Sequence, residues 1–265
     1  MLKSDARHTF VVCAYKESEY LEQCVQSLLK QTEKSQIIMA TATPNDSILS
    51  VAEKHQIPLR INNGASGIAQ DWNFAYSQAS TDYVTLAHQD DIYEPTYTAQ
   101  MLANMESVSS PLIFFSNYYE IRNSNKVVSN KLLIVKRLLT APLRIKRFQQ
   151  LAAARWFCLA FGNGICCPSV TFAVNNLPKE IFTVHFRSDV DWQAWEQLSR
   201  LKGSFCYDSK MLVGHRIHGD SETTKIIGDG QRTREDLEMF QKFWPKMIAK
   251  LLNGLYATSE KSNRG

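Results

Sequence analysis

"VTLAHQDDIYEP" occupies residues 84–95, and its reading decides the fold of this chain. Val84 to Ala87 make a short apolar strand, which ends in His88, Gln89, Asp90 and Asp91. Two adjacent carboxylates repel each other, and burial sharpens the repulsion. At the end of a buried strand they need either solvent or a cation beside them. The plainer alternative is a turn pair opening the helix that follows Pro95.

The flanking sequence alternates between two periods. "TFVVCAY" (9–15), "QIIMAT" (36–41), "PLRI" (58–61) and "DYVTLAH" (82–88) read as strands. Between them lie helical patterns at 18–32, 45–56 and 68–80. The first places Leu21, Val25, Leu28 and Leu29 on one face, with Ser18 as the expected N-cap. Strands alternating with helices of this length predict an α/β fold: a parallel sheet with helices on both faces. Ligands of such sheets bind at the carboxyl ends of the strands. That rule gathers residues 14–17, 41–46, 62–64 and 88–91 along one rim, so the paired Asp residues stand where such a fold builds its site.

The second half is less regular. Residues 111–121 read as a strand, 162–174 as a glycine turn and strand, and 188–203 as a helix capped by Ser188 or Asp189 and stopped by Gly203. "SFCYDSKMLVGHRIHGDS" predicts strand, turn and strand. A C-terminal helical segment is broken near Pro245, and the final residues from Ala257 predict a flexible tail. The expected organisation is a domain over 1–225, with halves 1–110 and 111–225, and a helical extension over 226–265.

Of 265 residues, 44% are apolar and 21% charged, enough apolar material for a large core. The net charge of +4 is too small to argue for a nucleic-acid partner. Six Cys occur without CxxC spacing, which predicts free thiols in a reducing compartment. There is no apolar signal region and no run long enough to span a bilayer. A cytoplasmic protein is expected, with the inner face of a membrane as a further location. "KLLIVKRLLTAPLRIKRFQQL" (131–151) is apolar and basic and carries no acid. Its 131–147 portion suits contact with an anionic membrane surface, or a solvated helix pair broken at Pro142.

Four elements in order resemble the inverting glycosyltransferases of family 2, which have the GT-A fold. They are "FVVCAYKESEYLEQCVQSLLKQT", "NNGASGIAQDWNFAYSQASTDYVTLAHQDD", "DWQAWEQLSRL" and "HRIH". The resemblance covers about residues 8–220. It implies a nucleotide-binding sheet, transfer from a nucleotide-diphosphate sugar to a glycan or lipid-linked acceptor, and Mg²⁺ or Mn²⁺ as cofactor. The "QDD" form resembles members that build bacterial surface polysaccharides, including lipopolysaccharide and capsule.

The resemblance also implies roles. Asp191 matches the catalytic base. Tyr15, Glu17, Thr41, Asn63, His88, Asp90 and Arg216 match donor-binding positions, with a helix-start role as the alternative for Glu17. Asp90, Asp91 and His218 are the metal candidates. His88 has three readings: a ribose contact, a metal ligand, or a polar filler. Trp192, Trp195 and Asp189 are acceptor candidates, although the two Trp suit the core equally and one of Asp189 and Asp191 suits a helix cap. In an extended segment Arg216 and His218 share a face and His215 points away. "KIIGDGQR" (225–232) reads either as a loop that closes over the donor or as a plain solvated linker. Departures are also present: His88 stands where the family often has Asp, Trp72 where it often has Arg, Val190 where it often has Glu, and "ATATPND" where acidic base contacts are usual. These departures keep two alternatives open, a degenerate nucleotide- or glycan-binding domain and a metal-dependent hydrolase.

Overall fold

The computed structural model describes residues 6–219 and 231–262. The proposed closing loop lies outside these residues, except for its last two positions. The amino-terminal half forms as its alternating pattern predicts. Strand β1 (His8–Ala14) is followed by α1 (Leu21–Leu29), β2 (Gln36–Thr41), α2 (Asp46–Lys54), β3 (Leu59–Ile61), α3 (Ile68–Ser77) and β4 (Tyr83–His88). Side chains drive each choice. β1 is buried on both faces, and α1 turns Leu21, Val25 and Leu28 inward. Asn45 starts α2 by accepting the Ile48 N–H at 3.0 Å. Ser18 does not cap α1: the helix begins at Leu21, and the Ser18 hydroxyl accepts the N–H of Tyr20 one turn too early.

The chain continues through β5 (Ile92–Tyr93), α4 (Tyr97–Met105), β6 (Pro111–Arg122), β7 (Asn125–Val127), α5 (Lys131–Thr140), α6 (Ala152–Ala160), β8 (Val170–Ala173), α7 (Val190–Ser199) and β9 (Ser204–Ile217). It ends in α8 (Gln231–Phe243) and α9 (Lys246–Ser262). Among the described residues, the strands form one sheet in the order β3-β2-β1-β4-β8-β6-β9-β5, with β7 on the side of β6.

Three expectations are corrected here. The sheet is mixed: β3, β2, β1 and β4 run parallel, but β8 lies antiparallel to both β4 and β6. Residues 204–217 form one strand without a turn, because register shifts opposite Ser116 to Tyr118 absorb the polar "DSK" stretch. Helix α9 runs to Ser262, so the tail from Ala257 begins as helix.

Two cores lie on the faces of the sheet. One gathers Phe10, Tyr93, Tyr97, Met101 and Phe114. The other gathers Phe172, Phe182, Trp192, Trp195, Phe205 and Phe240, so α7 and α8 belong to a shared core. All six Cys are free; four are buried and Cys13 and Cys167 half-buried. No described helix is long and apolar enough to cross a membrane.

Candidate active site

Parallel register sets the rim. Cys13 pairs with His88, and Ala14 with Thr41, so β1, β2 and β4 end together. After β4 the chain turns sharply, the Asp91 N–H donating to the His88 carbonyl, and β5 pairs Ile92 with Gly214 of β9. This pairing brings β9 against the two Asp residues. On its other side Gly214 pairs with Tyr119 of β6, where a Cβ would stand 2.6 Å from the Tyr119 ring.

Asp91 is completely buried. Its Oδ1 accepts the Arg216 backbone N–H at 2.8 Å and faces His215 Nδ1 at 3.0 Å. Burial opposes charge on His215, but the Asp91 carboxylate, with Asp90 behind it, raises the ring's pKa above its ordinary value. Asp90 faces His218 through Oδ2 at 2.9 Å. Burial would raise the Asp90 pKa, yet the neighbouring His88, His218 and His215 lower it. Arg216 is buried: it donates to the Asp90 carbonyl at 2.9 Å and to Gln23 at 3.0 Å, with its guanidinium 4.2 Å from the Tyr20 ring centre. The arginine therefore braces the paired Asp from behind, because β9 pulls it under α1.

One oxygen and one nitrogen are left over. Asp91 Oδ2 and His88 Nε2 are buried without a hydrogen-bond partner. A buried acceptor left unpaired costs about 1–3 kcal/mol. Ligand atoms of His88, Asp90 and Asp91 lie within 4.8 Å of one another. The donor set, an imidazole and two carboxylates, fits a divalent cation. His88 belongs to this group, whereas His218 enters through its contact with Asp90. Trp72 of α3 stacks on His88, with ring centres 5.1 Å apart and planes at 26°.

On the rim, Tyr15 is 40% exposed. Gln89 clamps its backbone, accepting the N–H at 3.0 Å and donating to the carbonyl at 2.8 Å. Thr41 is buried and its hydroxyl accepts the Thr43 N–H; Thr43 in turn accepts the Lys16 N–H. Glu17 and Asn63 are exposed at the mouth. Asn62 organises that turn through Asp71 and Gly64.

Asp191 lies in the first turn of α7, half-buried. Its Oδ2 accepts from Asn163 at 2.8 Å and its Oδ1 from the Trp192 N–H at 2.7 Å. Burial raises its pKa, only partly offset by Lys136, these two donors and Arg232. Burial pushes the Cys166 and Cys167 thiols up, and the charges of Asp91 and Asp191 add to the rise at both. Glu235 of α8 sets the start of α7: its carboxylate accepts the N–H groups of Arg187, Ser188 and Asp189.

The acceptor candidates are corrected. Trp192 and Trp195 are fully buried in the core, where stacking on a sugar is impossible without unpacking it. Asp189 is buried too; burial and the nearby Asp236 push its pKa well above the carboxylate range.

Several contributors escaped the sequence reading. Strand alternation turns His215 away from the face of Arg216 and His218, yet its imidazole meets Asp91 because Arg216 meets Asp91 through its backbone. Asn163 sat in a stretch read only as a turn. Glu235 gave no local signal, since it caps a helix that starts 45 residues earlier in the sequence, at Val190.

The sequence over residues 9–166 matches the family described as Glycosyl transferase family 2. No curated protein matches this chain. Among solved structures, Staphylococcus aureus TarS 1-349 in complex with UDP-GlcNAc superposes with a TM-score of 0.62 at 13% identity, over 93% of this chain and 70% of that one. The mannosyltransferase PcManGT from Pyrobaculum calidifontis, with GDP-Man and Mn²⁺, gives 0.58 at 13% identity, over 99% and 77%. Glucosyl-3-phosphoglycerate synthase from Mycobacterium tuberculosis, with Mn²⁺ and UDP-glucose, gives 0.56 at 12% identity, over 89% and 80%. At these identities the likeness establishes the GT-A fold.

Proposed function

Because the chain belongs to glycosyl transferase family 2, we propose that it transfers a sugar from a nucleoside-diphosphate donor to a hydroxyl of a glycan or lipid-linked glycan, with inversion. The observation that carries this reading is the pair of buried ligand atoms, Asp91 Oδ2 and His88 Nε2, that make no hydrogen bond, on the same rim as Tyr15 and Thr41. His88, Asp90 and Asp91 would hold Mn²⁺ or Mg²⁺, and the cation would offset the charge of the leaving diphosphate. Tyr15, Glu17, Thr41 and Asn63 line the nucleoside side. His215, Arg216 and His218 act as positioning residues that hold the two carboxylates in place.

Asp191 is the base. It takes the proton of the acceptor hydroxyl while that oxygen bonds to the anomeric carbon and the bond from that carbon to the diphosphate oxygen breaks. Its raised pKa suits the task, because a more basic carboxylate accepts the proton more readily. Asn163 aims the carboxylate, and Glu235 fixes the helix beneath it. Assembly of a bacterial surface polysaccharide is the pathway this chemistry best fits, at the cytoplasmic side of a membrane.

A thermal-shift screen of nucleoside diphosphates with Mn²⁺ tests the donor class. A ligand at 100 times its dissociation constant stabilises the fold by about 2.7 kcal/mol. A cation-dependent rise in melting temperature with one nucleotide supports the reading; no shift with any of them refutes it.

A further inference from the structure

A face beside the candidate base is built unlike the rest of the surface. No acidic residue occurs between Glu120 and Glu180, a span that includes α5 and α6. Leu138 of α5 is 64% exposed, and Trp156 and Phe157 of α6 are more than a third exposed. On α9, Met247, Leu251 and Leu255 recur every four residues, so they share one helical face, and they are 84%, 65% and 64% exposed. A soluble surface scatters such residues singly; here they gather on neighbouring helices.

The three helices are joined. α5 packs on α6. Trp156 and Phe161 meet Trp244, at the α8–α9 junction, with ring centres 5.0 and 5.2 Å apart. Gly162 lies so close to Tyr256 of α9 that a Cβ would stand 2.9 Å from its ring. The exposed cations of these elements include Lys131 at the start of α5, Arg144, Lys146 and Arg147 before α6, and Lys246 and Lys250 interleaved with the apolar stripe of α9. Not every cation of 131–147 is part of this face: Arg137 is turned inward to the Tyr118 and Val128 carbonyls.

We propose that α5, α6 and α9 together form a docking face for an anionic lipid surface, with the apolar residues entering the headgroup boundary and the lysines and arginines meeting lipid charge. Charge selects this occupant over a second copy of the chain. A two-fold self-interface would set cation against cation, whereas anionic lipid complements them. The face also leads to the chemistry. Asn163, two residues beyond the exposed Phe161, holds Asp191. A hydroxyl carried on a lipid would thus be presented to the base without leaving the bilayer surface, a consequence that rests on the function proposed above.

Co-sedimentation of the full chain with phosphatidylcholine vesicles, with and without phosphatidylglycerol, tests this. Partition onto anionic vesicles should exceed that onto neutral ones roughly tenfold and fall at high salt. The double variant Leu251→Glu, Leu255→Glu should lose roughly tenfold of it while keeping the wild-type melting temperature and nucleotide-induced shift. Equal partition onto both vesicles, or none, overturns the proposal. So does a dimer in light scattering that the double variant splits without any vesicle binding by the wild type. Vesicle binding without a nucleotide shift would leave the docking face standing and remove the proposed transferase activity instead.

Discussion

The indole of Trp72 stacks on the imidazole of His88, with ring centres 5.1 Å apart. These are two positions at which the chain departs from the glycosyltransferase family pattern, where Arg and Asp often stand. The stack joins the two positions beside the carboxylates of Asp90 and Asp91. The stack fixes the plane of the imidazole and leaves its Nε2 unpartnered.

Stacked rings contribute about 0.5–1.5 kcal/mol beyond their burial. A double-mutant cycle with Trp72→Leu and His88→Ala should return a coupling of that size in Mn²⁺-dependent nucleotide affinity. Additive effects would mean that the stack has no part in binding.

An imidazole favours softer cations than the all-oxygen sets that suit Mg²⁺. The wild type should transfer sugar faster with Mn²⁺ than with Mg²⁺, and His88→Asp should narrow that preference. Initial rates at saturating cation decide the point; an unchanged ratio would place His88 outside the ligand set.

Asp191→Asn should keep nucleotide affinity and lower turnover about 10²–10⁴-fold. A carboxylate in the proposed role works only when ionised, and burial raises the pKa of Asp191. The rate should thus fall as pH falls, through a midpoint above the ordinary carboxylate value of about 3.9. A rate profile flat across weakly acidic pH, or a variant with wild-type turnover, would move the base elsewhere.

Glu235→Ala removes the acceptor of three backbone N–H groups ahead of α7. Hydrogen bonds to a charged group contribute about 1.5–3 kcal/mol each, and partial rehydration returns some of that. Denaturant titration should show a loss of a few kcal/mol, with turnover reduced more than nucleotide affinity, since the helix carrying the base loses its anchor. Equal loss of both would mean a general loosening of the fold.

Folding stability should also report His8. Its ring is buried between Ser35 and Thr85, both at 2.8 Å, and burial lowers its pKa from 6.5 to about 3. The unfolded chain takes up a proton below 6.5 that the folded chain refuses, so stability present above that pH is lost as pH falls towards about 3. The contribution approaches about 1.4 kcal/mol per pH unit. His8→Gln should flatten the slope in that window. A slope unchanged by the substitution would assign it to other groups.

The amino-terminal half could be read from sequence because its determinants are local. Apolar runs bounded by turns gave β1, β2 and β4, and period-3.6 stripes gave the helices between them. Parallel strands with short crossovers leave few alternatives, so the rim holding Tyr15, Thr41 and His88 followed at once. The same locality puts Asp90, Asp91 and Asp191 at element ends.

What decided the rest acts between residues far apart in sequence. Asp91 is tied to β9 by the backbone N–H of Arg216 and by the imidazole of the adjacent His215, and no local residue pattern encodes that pairing. Trp192 and Trp195 carry the same helical spacing whether they face a ligand or a core; only packing put them inside, Trp192 against Phe240 of α8 and Trp195 against Phe172 and Phe182. Sequence determined which groups are chemically able to act. Register, long-range capping and burial determined which of them meet, because those depend on where the chain returns in space.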